Sequence, residues 1–201
     1  MKKYTFSADD GKAPELTGIA KSYVEHFDST MRPKGIGALM VGGVGTGKTF
    51  LACCIANELI DRGKRCKFTT IADLTAELED FSRKREVLKE LARYDFVILD
   101  DLGTERRNSY MAERAFTIVD TLYKANVPFC VTTNFTLSSM SNDDDINRKR
   151  LYDRIKERCA TIRFEIESRR TALGKENHNA AIKCSKQLKR TVYRGCNVLE
   201  N

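Results

Sequence analysis

The sequence predicts an α/β fold in which a five-stranded parallel sheet is sandwiched between helices. Three observations carry that prediction. Five short apolar runs, 35–41, 65–70, 96–101, 127–134 and 160–166, alternate with longer segments of helical periodicity. The runs are nearly continuous in apolar residues, as expected of strands buried on both faces. A glycine-rich stretch, "GGVGTGKTF" at 42–50, directly follows the first run and opens a helix, the setting in which backbone N–H groups hold phosphates.

The elements follow in order. "LTGIAKSYVEHF" (16–27) has helical periodicity and leads into an expected loop at "DSTMRPKG" (28–35). "GIGALMV" (35–41) is short, apolar and bounded by glycine, the signature of a buried strand. "KTFLACCIANELIDRG" (48–63) reads as a helix stopped by Gly63, and "RCKFTT" (65–70) as the second strand. "ADLTAELEDFSRKREVLKELARY" (72–94) is helical with a break expected near Ser82. "FVILDD" (96–101) is a strand ending in two aspartates, "SYMAERAFTIVDTLYKAN" (109–126) an amphipathic helix, and "VPFCVTTN" (127–134) a further buried strand. "SNDDDINRKR" (141–150) reads as a polar loop, "RLYDRIKERC" (150–159) as a short helix, and "ATIRFEI" (160–166) as the last strand. The expected organisation is a lead-in over 1–34, one catalytic domain over 35–175, and a basic helix or tail over 176–201.

Length and composition are compatible with one globular domain: 201 residues, 41% hydrophobic and 31% charged. No run of 18 apolar residues is present, which excludes a membrane-spanning helix and makes no membrane partner the expectation. Two lysines near the start lack an apolar stretch behind them, so the expected location is the cytoplasm. The seven cysteines form no C-x-x-C pair and read as small buried apolar residues. His26 and His178 stand without carboxylate or cysteine neighbours at metal-ligand spacing. The net charge of +7 is uneven: residues 146–201 carry 15 Lys/Arg against 6 Asp/Glu, whereas residues 1–145 carry 20 against 22. That asymmetry points to a polyanion, nucleic acid first, with a solvated tail as the competing reading. Ala181, Cys184, Leu188 and Val192 would form one stripe of a C-terminal helix, with Lys183, Lys186, Lys189 and Arg190 mostly off it.

Gly42-x-x-x-x-Gly47-Lys48-Thr49 matches the phosphate-loop pattern in full. The expected nucleotide-binding residues are Gly42, Gly43, Val44, Gly45, Thr46, Gly47, Lys48, Thr49 and Phe50. Lys48 reaches the β- and γ-phosphates, and the Thr49 hydroxyl ligates Mg²⁺. Asp100, placed beside the loop by its apolar strand, is the second metal group. Asp101 at the strand tip is suited to orient or deprotonate water, and its competing reading is a solvated strand-end carboxylate. Asn134, at the end of its strand, is placed to position water, or else caps a loop. No N-K-x-D motif occurs, so ATP rather than a guanine nucleotide is expected. A second acid has no use in a small-molecule kinase, where water is the unwanted nucleophile.

"GGVGTGKTFLACCIANEL", "FVILDDLG", "VTTNFTL" and "RLYDRIKERCATIRFEIESRR" together resemble the AAA+ P-loop ATPase domain of bacterial DnaC/DnaI-type helicase loaders over roughly 35–175. The IstB-type transposition helper is a close relative that these motifs do not separate from it. The resemblance implies ATP and Mg²⁺ as cofactors, a ring or spiral of subunits, a replicative DNA helicase as partner, and single-stranded DNA as ligand. It also implies that Arg154 is an arginine finger reaching a neighbouring subunit's site, and that Arg170, or Arg169 beside it, is a sensor on its own subunit's γ-phosphate. From pattern alone each is a surface arginine. Asp101 stands where many AAA+ proteins carry Glu, so slower hydrolysis is expected. Loaders usually carry a helicase-gripping N-terminal domain, and about 35 residues precede the first strand here. The competing readings are a transposition helper acting with a transposase on duplex DNA, a small-molecule P-loop kinase, and a module that holds ATP without hydrolysing it.

Overall fold

The computed structural model of the chain describes residues 3–103, 109–166 and 168. Five parallel strands form one sheet in the order β2-β3-β4-β1-β5. They are β1 (Gly37–Gly42), β2 (Cys66–Thr70), β3 (Phe96–Leu102), β4 (Phe129–Thr133) and β5 (Cys159–Phe164). Around them run α1 (Pro14–Glu25), a short α2 (Arg32–Lys34), α3 (Lys48–Asp61), α4 (Ile71–Glu77), α5 (Phe81–Leu91), α6 (Ser109–Lys124), α7 (Leu137–Ser141) and α8 (Ile146–Arg158). The α/β class and the five-stranded parallel sheet read from the sequence are those observed.

Alternate residues of the three central strands, β1, β3 and β4, feed two cores. Ala38 and Met40 of β1, Phe96 and Ile98 of β3 and Cys130 of β4 pack with α1 and α3. Leu39 and Val41, Val97 and Leu99, and Phe129 and Val131 pack on the other face with α4, α5, α6 and α8. A strand with partners on both faces must be apolar at every position, which is why β1 and β4 read as continuous runs. Each fully buried Leu, Ile or Phe here contributes about 1.5–3 kcal/mol relative to exposure.

Two sequence expectations are corrected. The segment after α1, expected as a loop, is wound: Phe27–Met31 forms a π-helical turn that continues into α2, with Phe27 buried against Tyr23 and Phe96. Aromatic packing there outweighs the turn-forming composition. The helical break expected near Ser82 is present: α4 ends at Glu77, and the Asp80 carboxylate accepts from Ser82 N at 2.9 Å and so caps α5. The polar loop expected over 141–150 ends at Asp145, whose side chain accepts from Asn147 N (2.8 Å) and Arg148 N (3.1 Å) and starts α8 early. α7 follows β4 and is capped by Thr136, which accepts from Ser139 N at 3.1 Å.

Candidate nucleotide site

β1 delivers the glycine loop to the carboxyl edge of the sheet, where open α/β sheets bind ligands. Gly42 is required by space: a Cβ there would meet the Phe164 carbonyl oxygen at 2.6 Å. Gly45 and Gly47 are required by conformation, with φ of +79° and +98°, a region that side chains disfavour and that turns successive N–H groups inward. Thr46 is buried in the loop and donates to Gly43 O at 3.0 Å, closing it. Gly47 then serves as the N-cap of α3 and brings no side chain to its first-turn N–H groups. The positive end of a 14-residue helix therefore faces the loop's interior.

Lys48 is 5% exposed, and its Nζ donates to Gly42 O (2.8 Å), Gly43 O (2.7 Å) and Asn134 Oδ1 (2.9 Å). Charge-assisted bonds of this kind are short and strong, so the ammonium is held at the loop's mouth. The third partner comes from the sheet topology. β4 lies between β1 and β3, so Asn134, just beyond its end, sits between the lysine and the acid pair.

On β3, Asp100 is 7% exposed and its Oδ1 accepts from Thr49 Oγ1 at 2.9 Å and Thr132 Oγ1 at 2.6 Å. Between Leu99 and Leu102 the pairing of β3 with β4 shifts by one residue, so that Asp100 and Asp101 together face Thr132. Asp101 adopts φ +54° and donates its N–H to Thr132 Oγ1 at 3.0 Å. In a regular strand neighbouring side chains point to opposite faces. The extra residue cancels that alternation, and both aspartates line the same cleft.

That cleft, about 650 Å³, is lined by Val44, Gly45, Gly47, Lys48, Thr49, Phe50, Asp100, Asp101 and Asn134. Most of the expected phosphate and metal residues thus converge. Gly42 and Gly43 instead border an adjoining cavity of about 580 Å³, which Asn134 shares. Two contributors escaped sequence reasoning. Tyr4 lines the cleft from the lead-in, its ring edge-on to Phe50 at 5.6 Å and its carbonyl accepting from Asn57 Nδ2 at 2.8 Å. No sequence signal links it to residues 46 positions away. Thr132 does have a signal, a hydroxyl inside an apolar strand, but one that becomes legible only once β3 lies beside β4.

Among the described residues, no cluster of three His, Cys, Asp or Glu suited to a metal is present. The Thr49–Asp100 pair offers a hydroxyl and a carboxylate, which fits Mg²⁺ carried in on nucleotide phosphates and completed by water. A free-standing cation site would need more oxygens.

Arg154 lies elsewhere. On α8, 36% exposed, it stacks over Tyr123 with Cζ 4.2 Å from the ring centroid. Its Nε is 3.7 Å from Asp120 Oδ1 and its Nη1 3.4 Å from Glu157 Oε2. It is not among the residues lining its own chain's cleft. Arg169, Arg170, His178 and the basic segment 176–201 lie outside the described residues.

The described cysteines are free thiols, and Cys53, Cys54, Cys130 and Cys159 are buried. Burial raises them all: Cys53 to about 11, with the Asp100 charge adding to the effect, and Cys54 and Cys66 to about 12. Cys130 and Cys159 are also pushed above the usual thiol range, chiefly by burial. Protonated thiols in apolar surroundings are packing groups, as the sequence suggested. Among the described residues, no helix is long and apolar enough to cross a membrane.

A family model described as "IstB-like ATP binding protein" matches residues 32–177. The replicative helicase loader DnaC of Escherichia coli K12 is 30% identical over 127 residues, covering 61% of this chain and 50% of that protein. The replicative helicase loader DnaI of Bacillus subtilis is 27% identical over 168 residues, covering 77% and 52%. This chain therefore spans about half the length of these curated relatives. The crystal structure of the DnaC helicase loader superposes with a TM-score of 0.69 at 22% identity, over 82% of this chain and all of that one. The fold is accordingly that of AAA+ P-loop domains. With 32–177 matched end to end by the family model, and the glycine loop, acid pair and Asn134 all inside that span, the chain belongs to the family of IstB-like ATP-binding proteins.

Proposed function

We propose that the chain binds ATP with Mg²⁺ in the cleft at the carboxyl edge of the sheet and hydrolyses it slowly. ATP then serves as a switch controlling the loading of a hexameric replicative helicase onto single-stranded DNA. The observation that supports this best is the convergence of Lys48, Asn134, Thr49, Asp100 and Asp101 on one cleft, with Lys48 bonded to Asn134 and Thr49 to Asp100.

In this reading the inward N–H groups of 43–48 and the α3 N-terminus bind the phosphates. Lys48 exchanges its loop carbonyls for β- and γ-phosphate oxygens. Mg²⁺, held by Thr49 and Asp100, would neutralise phosphate charge. Asp101, brought into the cleft by the extra residue in β3, orients a water and takes its proton. Asn134, with Oδ1 occupied by Lys48, has its amide N–H groups left to hold that water or a γ-phosphate oxygen. Arg154 acts on the neighbouring subunit's site, since it lies outside its own, and Arg170 is the sensor within the subunit. Self-association into a ring or spiral follows from that sharing. Support for a nucleic-acid partner comes from the charge excess in residues 146–201; support for the helicase comes from the DnaC and DnaI relatives, of which this chain spans half.

The test of the site is calorimetric titration of ATP with and without Mg²⁺ into the wild-type chain and Lys48→Ala. Removing a charge-assisted donor should weaken binding by about 10–100-fold, with an unchanged circular dichroism spectrum. Undetectable ATP affinity in well-folded wild-type protein would refute the reading. The partner is tested by pull-down from the host lysate with ATP present, where recovery of a replicative helicase is expected. The second reading, a transposition helper on duplex DNA, is favoured by the IstB-like description of the matching family. Recovery of a transposase, or tighter binding to duplex than to single-stranded DNA, selects it.

A further inference from the structure

We infer that Thr132 is a positioning residue for both acids of the cleft: its single hydroxyl fixes the Asp100 carboxylate and sets the backbone turn that aims Asp101. The inference rests on the reading of Asp100 as a Mg²⁺ group and Asp101 as the water-directing acid.

The geometry leaves the hydroxyl no choice of direction. The Asp101 amide can only donate, and it lies 3.0 Å from Thr132 Oγ1. The hydroxyl therefore accepts there and spends its proton on Asp100 Oδ1, 2.6 Å away, an ionised carboxylate being acceptor-only. Thr132 is fully buried, so solvent does not compete for either bond. One side chain thus ties two consecutive residues of β3 at the point where both stand opposite a single residue of β4.

The consequence is different for each acid. Asp100 Oδ1 also accepts from Thr49 Oγ1 at 2.9 Å. If the Thr49 oxygen turns to a metal ion, the bond from Thr132 is the restraint that keeps the carboxylate plane in place. Asp101 depends on the backbone instead. Its φ of +54° is uncommon for a residue with a side chain, and the Thr132 bond to its N–H holds the peptide that enters this turn. Without that anchor the strand can revert to regular alternation, which carries the Asp101 carboxylate away from the cleft shared with Asp100.

Thr132→Val keeps the shape and removes the hydroxyl; Thr132→Ala does so without placing a second methyl against Asp100; Thr132→Ser keeps the hydroxyl. ATP affinity is measured for each in excess EDTA and in Mg²⁺, together with kcat. Groups supporting a metal ligand from behind typically matter by about 10–100-fold. That loss is expected in kcat and in the Mg²⁺-dependent gain in affinity for the Val and Ala proteins. Affinity in EDTA should be unchanged, because the glycine loop and Lys48 are untouched, and the Ser protein should recover most of both quantities. The inference is overturned if Val and Ala keep the Mg²⁺ gain and kcat. It is equally overturned if EDTA affinity falls by the same factor, or if Ser is as impaired as Val, since each outcome makes Thr132 a packing residue. Lys48→Ala separates the two levels. Full ATP binding by that variant overturns the site itself, whereas loss in Lys48→Ala with none in Thr132→Val overturns this inference alone.

Discussion

Replacing Arg154 by alanine distinguishes a structural arginine from one that works on a neighbouring subunit, because the two roles differ greatly in size. Within its own chain Arg154 has two ion pairs, at 3.7 Å to Asp120 and 3.4 Å to Glu157, on a side chain 36% exposed. Exposed pairs of this kind contribute about 0.2–1 kcal/mol each and the stack on Tyr123 about 0.5–1 kcal/mol, so losing all three costs the fold no more than about 3 kcal/mol. None of these contacts reaches the cleft of the same chain. An arginine finger, by contrast, is worth about 10³–10⁵ in rate, or about 4–7 kcal/mol of barrier at 1.36 kcal/mol per tenfold. Arg154→Ala should therefore melt no more than about 12 °C below wild type and bind ATP normally, while phosphate release falls by at least about a thousandfold. Mixing it with Asp101→Asn tests the sharing directly. At equal amounts and random order, about one interface in four pairs an intact Asp101 site with an intact Arg154, so about a quarter of wild-type turnover should return. A loss below tenfold, or no recovery at any ratio in material shown to assemble, refutes the reasoning.

Asp101→Asn alone should leave ATP affinity near wild type and lower hydrolysis by about 10²–10⁴-fold, as expected for a general base, in a steady-state phosphate assay. Asp145→Ala removes the cap that accepts from Asn147 and Arg148, costing about 1 kcal/mol and lowering Tm by about 2–4 °C in a thermal scan. The buried thiols give a pH dependence with a defined sign. Cys53 and Cys54 rise from 9.0 to about 11 and about 12, so the folded chain keeps protons that the unfolded chain releases above pH 9. Their contribution to stability is fully present below pH 9 and is lost as pH rises through 11 and 12; Cys54→Ala should flatten that part of the Tm–pH curve. In native protein at pH 8, peptide-resolved thiol labelling should leave Cys53, Cys54, Cys130 and Cys159 unmodified. DNA affinity should fall steeply with salt, by about 10³-fold or more between 50 and 200 mM if six or more phosphates are engaged; a flat titration removes the nucleic-acid partner from the proposal.

Much of this was readable in one dimension because local pattern and buried geometry agree. A strand covered on both faces must be apolar at each position, so β1, β3 and β4 announced themselves as runs. A loop that wraps phosphates needs glycine where a Cβ collides or φ turns positive, and Gly42, Gly45 and Gly47 meet those needs. The spacing to Lys48 and Thr49 is local too, set by a few residues of backbone. Helix boundaries were less legible wherever a side chain acts on its own backbone: Asp80 and Asp145 look like loop residues until their carboxylates are seen capping α5 and α8. The wound segment over 27–34 was hidden for a different reason, since its stability comes from Phe27 meeting Tyr23 and Phe96.

By itself, then, the sequence determined the class of fold, the glycines of the loop after β1 and the two adjacent acids at the end of β3, all properties of contiguous residues. The tertiary structure alone decided how those parts meet. It placed β4 between the loop strand and the acid strand, so that Asn134 reaches Lys48. It set two aspartates against one threonine, so that both carboxylates enter one cleft. It also brought Tyr4 beside Phe50 and kept Arg154 outside its own cleft. The physical reason is the order of strands: hydrogen bonds between parallel strands join residues about 30 to 120 positions apart, and no short-range pattern records which strand becomes whose neighbour.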